Sequence, residues 1–153
     1  MRPRDLLGFL RRAIGVAINR GHDRIAEADV LKAEEAYSED MLLNTAYELA
    51  DVFPEMIDVL YMFASTPLLM PEGEVMTLIR ESTGATGPVE DLLEVLLWFG
   101  FLGVRQEGAE PVFAYQVRYN IEKLRTPIRR GRAQYQVHPA YHRALSITVQ
   151  DDV

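Results

Sequence analysis

Apolar side chains recur at three- and four-residue spacing along the first part of the chain, which is the period of an amphipathic helix. The first helix is predicted to begin at Pro3, which suits an opening turn, and to end at Gly21, a usual C-terminal residue. Its apolar stripe comprises Leu6, Leu7, Leu10, Ile14, Ala17 and Ile18. Such a stripe normally faces the core of a soluble protein.

Two more helices are predicted before residue 53. One covers about residues 27–37, and the next begins with Ser38 as its N-cap, because a serine hydroxyl accepts from the free amides of a first turn. Phe53-Pro54 is predicted to end this unit, since the residue before proline avoids helical backbone angles. The sequence therefore predicts a three-helix, lid-like bundle over residues 1–53 and a second domain over residues 54–153.

The second domain changes its period part-way. Short helices are predicted over residues 54–64, 72–81 and 88–99. Alternating residues then predict strands over 101–106 and 112–119 with a turn between them. Three helices followed by a β-hairpin is the winged-helix order. The predicted fold class is therefore mostly α (α+β), a three-helix bundle followed by a winged-helix domain with a small β-hairpin and a C-terminal extension.

The extension is predicted to hold a helix over 120–130 that Pro127 shortens or kinks, a strand over 134–138 and a last helical turn. His138 and His142 are four residues apart, but Pro139 interrupts a continuous helix and no nearby carboxylate cluster completes a metal site. We therefore expect no metal and no cofactor. Near the third helix, the aromatic residues Trp98, Phe99 and Phe101 are predicted to pack in the core.

Composition favours a soluble protein of the cytoplasm. The chain has 153 residues, is 48% hydrophobic, contains no cysteine and carries a formal net charge of −7. The absence of cysteine excludes disulfides and thiol catalysis. No signal-peptide pattern opens the sequence, and the most apolar stretch, VLYMFASTPLLMP, is too short to cross a bilayer. We therefore expect no membrane partner.

Charge is segregated along the chain. Residues 1–33 carry a net charge of +3, residues 34–98 of −13, and residues 99–153 of +3. One continuous nucleic-acid face is therefore not expected. The best candidate for a nucleic-acid contact or a protein-docking patch is a cluster of five cations, Lys123, Arg125, Arg129, Arg130 and Arg132. Tyr135 and Tyr141 lie nearby and are expected to pack rather than to stack on bases.

The segment RPRDLLGFLRRAIGVAINRGHDRIAEADVLKAEEAYS resembles the helical lid that follows the nucleotide-binding core in AAA+-type P-loop ATPases. A winged helix directly after such a lid is similar to the arrangement in origin-recognition-type initiator ATPases. It is also similar to a poorly characterised family of bacterial P-loop ATPases, which the closing WFGFLGV, VRYNIEKL and YQVHPAYHRAL resemble most. The resemblance implies a sensor-2 arginine that reaches the γ-phosphate. Arg4 matches that position and Arg2 is the alternative.

The sequence departs from the ATPase pattern in one decisive respect. It contains no G-x-x-x-x-G-K-[ST] loop and no acidic Walker-B strand, so we expect no catalytic residues and no ATP hydrolysis. The resulting hypothesis is a non-catalytic regulatory or protein-interaction module of a P-loop ATPase. Its partner would be the ATPase core or another copy of the chain. The alternatives are a DNA-binding winged helix and a stand-alone dimerisation module, and the predicted third helix, PVEDLLEVLLWF, argues against DNA because it carries no cation.

Overall fold

A computed structural model of the chain describes residues 3–84 and 87–148, apart from the side chains of residues 3–5, 55 and 56. The helices in these ranges are α1 (Pro3–Asn19), α2 (Glu27–Val52), α3 (Glu72–Thr83), α4 (Val89–Trp98), α5 (Ile121–Arg129) and α6 (His142–Leu145). The strands are β1 (Leu69–Met70), β2 (Leu102–Gln106) and β3 (Ala133–Val137). Short 3-10 helices span Pro54–Phe63, Ala114–Val117 and Pro139–Tyr141. The protein is thus mostly α with a small sheet.

The three strands form one antiparallel sheet in the order β1-β3-β2. In its register Leu102 lies opposite Val137 and Gln106 lies opposite Ala133, so β3 pairs along the whole of β2. The two-residue β1 lies on the other side of β3, with Met70 opposite Tyr135. The central strand, β3, is the last of the three in sequence. It therefore pairs with β1, which lies more than sixty residues earlier in the chain.

The turn between α1 and α2 is fixed by the buried carboxylate of Asp29. It accepts hydrogen bonds from the Ala26 amide at 2.9 Å and from Arg20 Nη1 at 2.9 Å. His22 Nδ1 lies 2.7 Å from Oδ2 of the same carboxylate. Two hydrogen bonds hold the pKa of Asp29 below its ordinary value of 3.8, and the one with His22 contributes more than the one from the Ala26 amide. A buried, ionised group thus caps α2 and ties it to the end of α1.

The predicted break at Ser38 is wrong, because α2 runs without interruption through that position. Ser38 is buried, and its hydroxyl accepts a hydrogen bond from the Ala144 amide at 3.0 Å. Seven residues later, Thr45 Oγ1 lies 3.0 Å from the hydroxyl of Tyr141. The described residues 3–53 therefore form two helices rather than three. The polar positions in the middle of α2 bind the C-terminal segment instead of ending a helix.

One hydrophobic core joins the second half of α2 to everything that follows it. Leu42, Ala46 and Leu49 of α2 are buried in the same cluster as residues of α3, α4, α5 and the sheet. Phe101 lies at its centre, with its ring centroid 5.3 Å from that of Phe63 and 5.0 Å from that of Tyr141. The domain division at residue 53 stays a prediction, and α2 contributes to the core of the second predicted domain.

The predicted β-hairpin is also wrong in its second strand. Residues 112–119 meet β2 only through a bridge between Val104 and Val112, and a 3-10 turn follows. The ring of Phe113 lies so close to Gly103 that a Cβ there would sit 2.4 Å from Phe113 Cε1. Arg118 and Tyr119 then take left-handed backbone angles, with φ of 52° and 59°. Such angles are incompatible with a strand, so the segment contributes only the bridge at Val112, on the edge of β2 opposite to β3.

The other local predictions are confirmed. Helices α3 and α4, strand β2, helix α5 with Pro127 inside it, strand β3 and the last helical turn lie within a residue or two of their predicted bounds. The segment at residues 54–64 is helical but adopts 3-10 geometry. None of the helices in the described ranges combines the length and the apolar character needed to cross a membrane.

Candidate functional site

The large apolar residues of α1 lie at the surface. The helix packs on α2 through the small residues Ala13 and Ala17, which are buried, and through the edge-on contact of Phe9 with Tyr37. We call the exposed residues the α1 stripe; each is between 41% and 67% exposed, and they are Leu6, Leu7, Leu10, Ile14 and Ile18. The expectation that the sequence stripe faces the core is therefore wrong for every member except Ala17.

Ion pairs link α1 to α2. Arg12 pairs with Asp40 in the middle of α2, and Arg20 pairs with Asp29 at its start. Arg12 lies on α1 and Arg20 directly follows it, so the two pairs tie the helix and its C-terminal turn to α2, while the stripe stays exposed. Two alanines at the contact let the helix backbones approach closely, but they bury little apolar area. Among the described residues, none of α1 belongs to the main core cluster.

The sensor candidates lie outside the part of the chain that the structure describes. Arg2 is outside it entirely, and Arg4 is described only as part of the backbone of α1. The assignment of either arginine to a γ-phosphate therefore stays a prediction. The stripe that follows them along α1 is described.

The five predicted patch cations do not form one surface, because Arg125 points inward. Its side chain is 7% exposed, and its Nη2 donates to Glu90 Oε2 at 2.7 Å. Its Nη1 donates to Glu94 Oε1 at 3.3 Å, and Glu72 Oε1 lies 3.6 Å away. The guanidinium thus joins α5 to α3 and α4, and it is not available to an external phosphate.

Burial and charge act in opposite directions at this cluster. Burial alone would lower the pKa of Arg125, but the carboxylates, Glu90 foremost, outweigh it and raise that pKa above its usual value. Tyr135 lies beside it on β3, and burial, reinforced by the charge of Glu72, raises the pKa of its hydroxyl to about 12. Tyr135 and Tyr141 are both buried, as expected from the sequence.

The remaining cations of the patch divide into two kinds. Arg129 Nη1 lies 2.8 Å from Glu122 Oε2 in an exposed pair on α5. Lys123, Arg130 and Arg132 are exposed, and they make no ion pair with any residue in the described ranges. Arg118 shares these properties, but the sequence did not single it out because it lay within a predicted strand. These four unpaired cations follow one another along the segment that leads into and out of α5.

Trp98 does not pack in the core as predicted. Phe101 is fully buried and Phe99 is partly buried, but Trp98 is 53% exposed at the end of α4. Its ring lies against that of Tyr119, with the centroids 5.1 Å apart and the planes tilted by 40°. Tyr119 is 42% exposed. The two rings therefore form an aromatic surface beside the start of α5.

The histidines of the tail are engaged locally. His138 Nδ1 accepts from the Ala140 amide at 3.1 Å, and His142 Nε2 lies 2.7 Å from the carbonyl oxygen of Val137. Within the described ranges, no three acidic or histidine side chains converge on a point that would hold a metal ion. These bonds fix the turn between β3 and α6.

Comparison with known proteins gives one match, to a family model. The model is described as a FunZ-associated C-terminal helical domain, and it matches residues 1–46. This range contains α1, the turn fixed by Asp29 and the first part of α2. No curated protein and no solved structure matches the chain.

Proposed function

We propose that the chain is a non-catalytic accessory module that docks through its α1 stripe onto the core of a P-loop ATPase. The observation that carries this proposal is the row of exposed leucines and isoleucines on α1. The family model that matches this helix describes a C-terminal helical domain, which fits an accessory part of a larger protein. The resemblance of residues 2–38 to an AAA+ lid supplies the class of partner.

The energetics favour a protein partner for this stripe. Full burial of a leucine or isoleucine is worth about 2 kcal/mol, so covering the exposed half of five such residues would contribute roughly 5 kcal/mol. Scattered apolar residues on a surface are ordinary, but a continuous row of five along one helix is typical of an interaction site. In lid domains the helices contact the nucleotide-binding core, so a contact through the stripe would fit the resemblance.

We also assign the second half of the chain to the winged-helix class. Its order is a 3-10 helix, β1, α3, α4, β2 and β3, and the sheet order β1-β3-β2 supports this assignment. In this assignment the wing would be the segment between β2 and β3, which contains α5. The assignment does not imply duplex DNA binding through α4, because Glu90, Glu94 and Trp98 form one row on that helix at i, i+4 and i+8.

That row carries two acids and no cation, and its members already contact neighbouring elements. Arg125 binds the two glutamates, and the ring of Tyr119 rests on Trp98. A helix that reads the major groove needs an open, cationic or amide-bearing face. The contacts along α4 therefore favour a protein-interaction role over the alternative of a duplex-reading winged helix.

The test is a binding measurement between this chain and a purified AAA+-type P-loop ATPase core. We expect the purified components to co-elute, and we expect the chain to change the rate of ATP turnover by the core. The double variant Leu10→Asp with Ile14→Asp places two charges on the stripe and should abolish both effects. Its matched control is Leu43→Asp on α2, which alters an equally exposed leucine outside the stripe.

Equal loss of binding in the stripe and control variants would remove α1 from the interface. ATP hydrolysis by the isolated chain would contradict the non-catalytic role. Formation of a stable homodimer that the stripe variant dissociates would assign the stripe to self-association, which is the stand-alone dimerisation alternative.

A further inference from the structure

The charged residues of α5 are sorted by their partners. Arg125 is bound to the carboxylates of α3 and α4, and Arg129 to Glu122. The carboxylates that contact α5 are therefore already paired with Arg125 and Arg129. Lys123 lies in the first turn of α5, and Arg130 directly follows the last residue of that helix.

Two more exposed cations flank α5 along the chain. Arg118 precedes the helix and Arg132 follows it. Neither makes an ion pair with any described residue, so the row Arg118, Lys123, Arg130 and Arg132 keeps its positive charge uncompensated. The chain as a whole is acidic, but residues 99–153 carry a net charge of +3.

The aromatic surface lies at the start of this row. Tyr119 is two residues before α5 and rests on Trp98, and each ring keeps about half of its surface exposed. Arg118 and Tyr119 both have positive φ, which is uncommon for residues other than glycine and costs conformational energy. The amides of both residues donate to the Ala114 carbonyl, and this holds them in place. Tyr119 thus combines a left-handed backbone with a partly exposed ring.

We propose that this face binds single-stranded nucleic acid, with bases stacking on Trp98 and Tyr119 and phosphates contacting the four cations. An aromatic platform beside a row of unpaired cations is the combination that single strands require, because their bases are free to stack and their phosphates follow the same path. A duplex keeps its bases stacked inside, so the two rings offer it nothing. The site goes beyond the docking function of α1 and shares no residue with it.

The test uses Trp98 as its own reporter, since it is the single tryptophan of the chain. We expect an oligo-dT of roughly 15 nucleotides to quench its fluorescence in a saturable way at low salt. The affinity should fall steeply as salt rises, because bound phosphates release counterions. A duplex of the same length should bind at least roughly tenfold more weakly, as it lacks the stacking contribution.

Variants separate this site from non-specific attraction. Tyr119→Ala should weaken binding by at least roughly fivefold through loss of stacking. The double variant Lys123→Ala with Arg130→Ala should weaken it and reduce the salt dependence, and it changes only exposed side chains, so the fold is expected to survive. The matched controls are Tyr47→Ala and Lys32→Ala, which remove an exposed tyrosine and an exposed lysine from α2.

Three results would overturn the proposal. Trp98 fluorescence that does not change with oligo-dT at low salt is the first. Equal weakening by the control variants is the second, since it would mean that any exposed cation or ring contributes as much. Quenching by poly-glutamate at the same charge concentration as strong as that by oligo-dT is the third, because it would assign the face to acidic protein segments.

Discussion

Arg125 Nη2 donates to Glu90 Oε2 at 2.7 Å, and this contact joins two helices whose partners are 35 residues apart in sequence. The arginine is almost completely buried, whereas the glutamate is 60% exposed. The pair is therefore asymmetric: water can solvate the carboxylate if the bond breaks, but it cannot reach the guanidinium. The two halves of the pair should respond differently to mutation.

Removing the carboxylates is expected to cost more stability than removing the arginine. The variant Glu90→Gln with Glu94→Gln leaves a buried cation with Glu72 as its remaining carboxylate and should destabilise the fold by roughly 3 kcal/mol. Arg125→Met keeps an apolar side chain of similar length and leaves carboxylates that water can reach, so we expect a loss of about 1 kcal/mol. Midpoints of urea denaturation measure both.

The control for this comparison is Asp91→Asn, which removes an exposed acid of α4 that has no ion pair among the described residues. Its stability should change by less than about 0.5 kcal/mol. A larger loss for Arg125→Met than for the double glutamine variant would show that packing by the arginine stem, rather than compensation of its charge, holds α5 in place.

The α1 stripe should be dispensable for folding and required for docking. Leu7→Asn and Leu10→Asn change side chains that are already exposed, so each should alter the free energy of unfolding by less than about 0.5 kcal/mol. By contrast, Ala13→Leu inserts volume into the buried contact with α2 and should cost roughly 1–3 kcal/mol. Thermal melts of the isolated chain distinguish the two classes. Strong destabilisation by either asparagine variant would contradict the exposed placement of the stripe.

Asp29 gives a prediction about pH. Its pKa is lower in the folded chain than its ordinary value of 3.8, so the unfolded chain takes up the proton first as pH falls. The stabilisation by Asp29 is therefore complete above about pH 4 and is lost as pH falls through the lowered pKa. Asp29→Asn should reduce Tm at neutral pH, and the difference from the unmodified chain should shrink below pH 4. A difference in Tm that stays constant down to pH 2 would contradict this account.

We expect no tight nucleotide binding by the isolated chain. No phosphate-binding loop is present in the sequence, and one arginine on a lid-like helix cannot replace its row of backbone amides. Titration calorimetry with Mg-ATP should show no micromolar affinity. When the chain is combined with an ATPase core, Arg4→Ala should reduce turnover, and an unchanged rate there would remove Arg4 from the nucleotide site.

Local signals in the sequence were sufficient for much of the fold. Helices α3 and α4 have clear apolar periodicity and ends marked by proline and glycine, and the strands β2 and β3 have apolar residues suited to a half-buried sheet. These features depend on neighbours within one or two turns. They are therefore visible in a single sequence, and the structure confirms them.

The errors arose where a distant segment decides the local outcome. Ser38 has the character of an N-cap, but its hydroxyl is used by Ala144, 106 residues away. Residues 112–119 alternate like a strand, but their pairing with β2 ends at Val112, because a 3-10 turn and the positive φ angles of Arg118 and Tyr119 follow. Alternation of residue types cannot report on such a change of backbone path.

The predictions about candidate site residues were limited for a similar reason. Amphipathicity shows that α1 has an apolar face, but not whether that face meets its own chain or a partner. Counting charges in the sequence located the cations near α5. It could not distinguish Arg125, which is buried and paired with three glutamates, from Lys123, which is exposed and makes no ion pair among the described residues. A tryptophan is usually buried, so its residue type favoured a core position for Trp98. In the structure it lies at the end of α4, where its side chain is exposed.

The contacts of Ser38 and Thr45 with the C-terminal segment have a consequence for the order of folding. Both residues are made early in synthesis, but their partners, Ala144 and Tyr141, emerge after all the other described elements of the core. Contacts of such long sequence separation form slowly, because a large loop must close before they contribute any stability. During translation, the surface of α2 around Ser38 and Thr45, which is buried in the folded chain, therefore stays exposed until residues 138–147 leave the ribosome. The nascent chain is most prone to aggregation during this interval.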